Sequence, residues 1–242
     1  MQGKYLSRTA DVNFFDLHVQ ANESLVKEAE RLGFSGISLT YDFENYKSDS
    51  KDFKELDENS DLILKKCLEI SIKNQEELKK KVQKSRKKAD LVMVRGGDLK
   101  VNRAACEYRG VDILSQPYRG RRDTGINHIL ARKAAENDVA IEINLSTFLK
   151  TNLRYRYRVI SQFRHIMELK RKYNFPLILT SNARTKYDLR KPQDIFALSQ
   201  CFGMTSNESF EALSTIPEYI FKRSENRDSY VMDGVRTIEL VE

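Results

Sequence analysis

The chain has 242 residues, of which 40% are hydrophobic and 32% charged. That is enough apolar material for one large core or two small ones, and too much for wholesale disorder. The longest apolar runs, 91–94 and 195–198, are four residues each, so a membrane-spanning helix, which needs about 20, is excluded. Residues 1–5 lead into polar sequence without the apolar stretch of a secretory leader. Three scattered cysteines, Cys67, Cys106 and Cys201, form no paired motif. They read as packed thiols of a cytoplasmic protein and offer no zinc site. The net charge of +7 is unevenly spread. Segment 150–174 carries eight basic residues and one acid, 79–88 seven basic residues and no acid, and 42–61 eight acids against three lysines. Such segregation draws polyanions to one region. A single charged run is usually a solvated helix face, whereas several basic runs on one domain favour nucleic acid.

Short apolar runs alternate with amphipathic stretches. Residues 13–19 predict a first strand. Residues 23–32 predict a helix capped by Asn22 and stopped by Gly33. A second strand at 36–41 is followed by an acidic, irregular stretch and a third strand at 62–72. Asn74 caps a helix running to about Lys87, with acids first and lysines last, as the helix dipole favours. Strand 91–95 ends in Gly96-Gly97, and 99–107 predicts a helix. Strand 111–115, helix 126–137 and strand 139–144 come next. The long helix 154–173 turns Val159, Ile160, Phe163, Ile166 and Met167 to the core. Strand 177–181 and helices 193–202 and 208–213 complete the pattern. Short strands separated by helices mean parallel βαβ units, and strands that alternate poorly are buried on both faces. Seven to eight units in about 210 residues fit an α/β, TIM-like (β/α) barrel. It is expected as a single domain over 1–224 with a polar tail over 225–242. Neither a Gly-x-Gly-x-x-Gly fingerprint nor a Walker loop is present, which argues against an open dinucleotide fold.

Functional groups of such a barrel gather at the carboxyl ends of its strands. Those ends offer Asp16, His18 and Gln20; Thr40, Tyr41 and Asp42; Arg95; Gln116 and Arg119; Glu142 and Asn144; Ser181, Asn182 and Arg184. Strand alternation places Asp16, His18 and Gln20 on one face. A multinuclear hydrolytic site needs more ligands than three histidines (His18, His128, His165) and scattered acids supply. A lone histidine is more often a hydrogen-bonded structural group. The basic elements cohere better. Residues 117–125 (PYRGRRDTG) join a strand to a helix, with glycines that let backbone approach a ligand and a helix N-terminus suited to phosphate. Residues 154–158 (RYRYR) alternate guanidinium forks, which grip phosphate, with rings that stack on unpaired bases. Arg184, Lys186, Arg190 and Lys191 add a cluster after the strand ending at Ser181.

Residues 125–135 (GINHILARKAA), 141–144 (IEIN), 177–189 (LILTSNARTKYDL) and 191–194 (KPQD) together resemble a known family. It is the barrel-shaped thirty-kilodalton protein subunit family of archaeal and eukaryotic ribonuclease P, called component 3 in archaea. The likeness runs in order from about Thr9 to Thr205, and the size is like the archaeal form. That family is related to the polymerase-and-histidinol-phosphatase (PHP) metal-dependent phosphoesterases. Those enzymes carry His-x-His after strand one, Asp-His after strand two, a glutamate on a middle strand and Asp-x-His near the end. Here only His18 and Glu142 match. Gln20, Thr40-Tyr41-Asp42, Asn182 and Arg184 stand at the other positions, and a guanidinium at a former ligand position repels a metal.

The resemblance therefore implies a non-catalytic chain without a cofactor of its own, with Mg2+ serving the RNA-based holoenzyme. The implied activity is that of the holoenzyme, an endoribonuclease that removes the 5′ leader of precursor tRNA. This chain would bind RNA and neutralise phosphate. The implied partners are ribonuclease P RNA, precursor tRNA through the holoenzyme and a small ferredoxin-like protein subunit, with no membrane. The expected RNA-binding residues are Arg95, Arg119, Arg121, Arg122, Arg154, Arg156, Arg158, Arg184 and Lys186. Two alternatives stay open. One is a PHP-type phosphoesterase with a reduced metal site on Asp16, His18, Asp42 and Glu142. The other is a protein-interaction scaffold whose acidic 42–61 stretch docks a basic partner.

Overall fold

Strands closed to solvent on both faces account for the continuous apolar runs in the sequence. In the computed structural model seven of them pair in parallel and in chain order. They are β1 (Phe15–Gln20), β2 (Gly36–Asp42), β3 (Ile63–Ile70), β4 (Leu91–Arg95), β5 (Ile113–Ser115), β6 (Ala140–Asn144) and β7 (Leu177–Thr180). The structure describes residues 12–46 and 53–225, together with the backbone of 230–232 and 235–236. Around the sheet lie α1 (Glu23–Leu32), α2 (Phe53–Glu58), α3 (Gln75–Arg86), α4 (Leu99–Glu107), α5 (His128–Glu136), α6 (Leu145–Lys150), α7 (Arg156–Tyr173), α8 (Pro192–Cys201), α9 (Ser206–Phe210) and α10 (Ile216–Glu225). The caps fall where predicted. Asn22 accepts from Ser24 N at 2.8 Å, Asn74 accepts from Glu77 N at 2.9 Å, and Gly33 ends α1 at φ +85°. No helix among the described residues is long and apolar enough to cross a membrane.

The sheet comes close to closing on itself. The seam between β1 and β7 holds one parallel bridge, Val19 to Ala183, and the Gln20 N–H donates to the Ala183 carbonyl at 2.9 Å. Asp16 supplies the rest, accepting from Ser181 N at 3.0 Å and from His18 N at 3.0 Å. This corrects the expectation that Asp16, His18 and Gln20 share a face. One extra residue in β1 opposite β2, between Asp16 and Val19, forms a β-bulge. Bulges re-aim the side chains that follow them. Phe15 and Leu17 join the barrel interior while His18 and Gln20 line its mouth.

The interior cluster draws Phe15, Leu17, Cys67, Leu91, Met93, Ile113, Ala140 and Ile178 from the strands, and Ile220 and Phe221 from α10. Phe221 meets Phe15 edge to face at 5.4 Å. A segment without a strand thus fills the gap, and α10 packs against β1 and β7. The helix predicted at 208–213 is in fact α9, a π-helical turn (Glu211–Thr215) and α10 in succession. Pro217 reads as a helix breaker because it lacks an N–H. The widened turn before it, in which Ile216 N–H donates to the Glu211 carbonyl, carries the chain past that missing donor. The acidic stretch likewise holds α2, whose Phe53 is buried; residues 47–52 of it lie outside the described residues. Cys67 and Cys106 are buried as expected, but Cys201 ends α8 on its solvent side and is exposed. Of the tail expected over 225–242, Glu225 ends α10 and pairs with Lys65 at 2.7 Å, 230–232 pairs antiparallel with 235–236, and the rest lies outside the described residues.

At the amino end of the strands Arg223 of α10 locks this plug in place. It donates to the Asp138 carbonyl at 2.7 Å and to Asp112 at 3.1 Å, and it also pairs with the Asp138 carboxylate. Asp112, 1% exposed, accepts from Val92 N at 2.8 Å as well. Arg86 also reaches Asp112, at 3.5 Å, so losing Arg223 weakens this charge cluster without stripping it of cations. Arg223→Ala is expected to lower stability by about 2 kcal/mol, the scale of hydrogen bonds to charged groups, read as a shifted urea midpoint at unchanged m value.

Candidate nucleic-acid interface

The carboxyl ends of β1 to β4 and β7 surround a mouth cavity of about 200 Å³ lined by His18, Gln20, Asp42, Glu69, Arg95, Asn182 and Arg184, among others. Beneath it Glu142, fully buried, accepts from His18 Nδ1 at 2.6 Å, from Ser115 Oγ at 2.6 Å and from the Thr180 hydroxyl. Gln116 N and the Asn144 amide, each at 3.2 Å, complete its shell. Burial works against charge on both members of the His18–Glu142 pair. Their mutual attraction and hydrogen bonds outweigh it, so His18 lies above its ordinary pKa and Glu142 below. Burial pushes Asp16 up to about 6, against the hydrogen bonds from Ser181 and His18.

These residues do not fit a metal centre. Asp16 faces the seam, Asp42 accepts from Glu44 N at 2.9 Å, and Glu142 is saturated by donors. Among the described residues no group of three His, Cys, Asp or Glu side chains is placed to hold an ion. Two cations occupy the mouth instead. Arg95 forms a two-pronged pair with Glu69, and Arg184 stands exposed on the loop after β7. The reduced metal site on Asp16, His18, Asp42 and Glu142 is thereby corrected: His18 and Glu142 meet each other, Asp16 is held at the seam, and Asp42 lines the mouth with one oxygen taken by Glu44 N.

Of the nine residues expected at an RNA surface, Arg95 ends β4, Arg119, Arg121 and Arg122 lie on the loop after β5, Arg154 lies in the turn after α6, Arg156 and Arg158 lie in the first turn of α7, and Arg184 and Lys186 lie on the loop after β7. The structure separates them by how each is held. The loop 117–125 is braced from beneath by uncharged groups. Asn102 Nδ2 donates to the carbonyls of Pro117 (2.9 Å) and Gly125 (2.7 Å), and Gln162 Nε2 to those of Arg121 (3.0 Å) and Asp123 (2.8 Å). Tyr118 is buried, and its hydroxyl accepts from Asn144 N at 2.9 Å. On this base Arg121 pairs with Asp123 at 2.6 Å, while Arg119 and Arg122 project into solvent. Arg156 turns inward, donating to the carbonyls of Leu149 and Thr151 at 3.1 Å each, whereas Arg154 and Arg158 are exposed beside tyrosine rings. Lys186 lies over Tyr187. A wider open groove of about 570 Å³ runs between this loop and α7, past Arg122, His128, Gln162 and His165. The sequence reading missed Glu69, Asn102 and Gln162, which position the arginines. Isolated amides and acids inside helix and strand patterns carry no signal of such a task.

This geometry defines a seven-stranded α/β barrel of the TIM type whose mouth holds two guanidinium groups and whose rim carries exposed cations. The family model for RNase P subunit p30 matches residues 13–229. Ribonuclease P protein component 3 of Methanothermobacter thermautotrophicus is 46% identical over 235 residues, covering 94% of this chain and 96% of that protein. The protein of the same name from Methanococcoides burtonii is 35% identical over 237 residues, with coverages of 95% and 96%. A chain in the cryo-EM structure of an archaeal ribonuclease P with mature tRNA aligns at a TM-score of 0.81 and 31% identity, over 94% of this chain and 99% of that one. A. niger ochratoxinase, at 9% identity and a TM-score of 0.59 over 86% of this chain and 71% of its own, shares the fold alone. The chain belongs to the RNase P subunit p30 family.

Two outcomes test this architecture. Unfolded Asp16 ionises near 3.8 and folded Asp16 near 6. Across that window the native state keeps a proton that the unfolded chain has released. Its stability contribution is present below the unfolded value and fades as pH rises through the folded one, by about 3 kcal/mol in total. Urea midpoints of wild type and Asp16→Asn, compared from about pH 4 to pH 7, should therefore move in the variant's favour as pH rises. Gly125 holds φ +67°, and a Cβ there would sit 1.9 Å from the Pro117 carbonyl oxygen. Gly125→Ala should cost about 2 kcal/mol or more and render the arginine loop sensitive to trypsin.

Proposed function

We propose that this chain is a non-catalytic protein subunit of ribonuclease P, working beside the catalytic RNA that removes the 5′ leader of precursor tRNA. The observation that carries the reading is the match, over nearly the full length of both chains, to a component of an archaeal ribonuclease P bound to tRNA. The mouth supports it: the acids that a hydrolase would use are held by hydrogen bonds or paired with cations. The chain's physical task is to offset RNA phosphate charge from a braced cationic rim, so that helices of the RNA can approach one another.

In this reading Arg95, Arg119, Arg121, Arg122, Arg154, Arg156, Arg158, Arg184 and Lys186 lie next to RNA. Arg119, Arg122, Arg154, Arg158, Arg184 and Lys186 make the direct phosphate contacts, being exposed, while Arg95, Arg121 and Arg156 hold the rim in shape. Mg2+ belongs to the RNA of the holoenzyme, a small ferredoxin-like subunit is the protein neighbour, and the particle works in the cytoplasm. Burial holds the Cys106 thiol at about 12, which suits a chain that forms no disulfide.

With about six phosphate contacts, affinity for the RNA subunit should fall about 10³-fold over a fourfold rise in salt. Arg119→Ala combined with Arg122→Ala should flatten that dependence by about two contacts and lower reconstituted cleavage without moving the urea midpoint. A salt-independent affinity would contradict the reading.

A further inference from the structure

The corner that leads into α7 exposes more apolar surface than any packing need explains. Leu153 is 76% exposed, Tyr157 62% and Tyr155 44%, all within five residues. Elsewhere on this helix the large apolar side chains Val159, Phe163, Ile166 and Met167 are buried. Single exposed apolar residues are ordinary; a cluster marks a surface built to be covered.

The cluster is rigidly mounted. Arg156 ties the start of the helix to the carbonyls of Leu149 and Thr151 and packs at 5.2 Å over Phe148, which meets the buried Phe202 edge to face. Asn152 accepts from Arg154 N at 3.0 Å and caps the turn. Arg158 lies 5.1 Å from the Tyr155 ring and 5.6 Å from the Tyr157 ring, and its Nε donates to the Tyr157 hydroxyl at 3.0 Å. The two rings are thus fixed by a shared guanidinium while the Tyr157 ring stays open to solvent. The loop bearing Tyr187, 75% exposed, is tied to the same corner by the Lys150–Asp188 pair at 3.1 Å. Residues 150–174 carry eight basic residues and one acid, Glu168.

We infer that Tyr157, with Tyr155 and Arg158, is a stacking platform for an unpaired base, so that the strand reaching this corner is single-stranded RNA. The inference rests on the RNA-binding reading above and adds a base contact to it. The chemistry follows from the parts. An aromatic face takes any base, a guanidinium beside it adds a cation–π term and a phosphate contact, and a side chain already fixed loses little freedom on binding. A duplex presents its bases stacked on one another and cannot use the platform; a loop, bulge or end can.

The 242-residue chain contains no tryptophan, so Tyr157→Trp installs a single reporter at the platform. Its fluorescence should be quenched by a short oligoadenylate and hardly at all by an abasic ribose-phosphate chain of equal length and charge. Tyr157→Ala should bind the oligoadenylate about tenfold more weakly, the scale of one lost base stack, at an unchanged salt slope. Tyr157→Phe, which keeps the ring, should bind within about twofold of wild type. Because the side chain is exposed, none of these changes threatens the fold. Equal quenching by the abasic chain, or full affinity in Tyr157→Ala, would overturn the platform while leaving the phosphate reading intact. Absence of salt-dependent RNA binding in wild type would overturn that reading as well. Loss of a co-purifying protein from Tyr157→Ala with RNA affinity unchanged would overturn the platform in favour of a protein contact.

Discussion

One backbone bridge and one carboxylate close the seam of this barrel. Asp16 stands where ladder hydrogen bonds between the first and last strands would otherwise run, accepting from Ser181 N and His18 N. The bulge that frees it for this task also turns His18 inward, where Glu142 is the acceptor that fixes its ring. Seam, bulge and histidine pair are thus one arrangement. Lengthening or straightening β1 would break all three, because the extra residue sets the face that every later side chain of the strand presents.

The same arrangement explains why the mouth suits anions. In a site that activates water, carboxylates need free lone pairs aimed at an ion or a proton. Here the lone pairs of Glu142 are taken up by five donors, and Glu69 is bound to Arg95. Positive charge then resides on side chains that reach outward from loops. Those loops are stiffened by Asn102 and Gln162, which carry no charge of their own to offset the field. Bracing by amides keeps the arginine loop in place without adding acids that would repel phosphate.

Much of this was legible in the sequence. The caps at Asn22 and Asn74 and the stop at Gly33 fix helix ends locally, so α1 and α3 could be read to the residue or nearly so. Parallel strands buried on both faces leave runs such as 91–94 that are hard to mistake. What escaped was decided by distant contacts. The bulge in β1 depends on the offset between two strands, and strict alternation placed Asp16 on the wrong face. The path through Pro217 depends on a widened turn stabilised by packing against β1 and β7. The guanidinium partners were invisible for the same reason: Arg95 and Glu69 are 26 residues apart in the chain and meet only across adjacent strands. The motifs of 125–135 and 177–189 carried the family, and the structure explains their form: the first supplies Gly125, which ends the braced loop, and then the capped helix α5, and the second holds β7 and the residues that meet β1 at the seam.

The plug formed by α10 also sets an order of events during synthesis. Ile220 and Phe221 fill the hydrophobic interior that seven strands leave open, and Arg223 fastens them to Asp112 and Asp138. A nascent chain that has emerged only as far as β7 therefore holds an uncapped, water-exposed bore. The barrel can finish folding only once α10 has also left the ribosome, and until then its exposed apolar bore favours association with other chains.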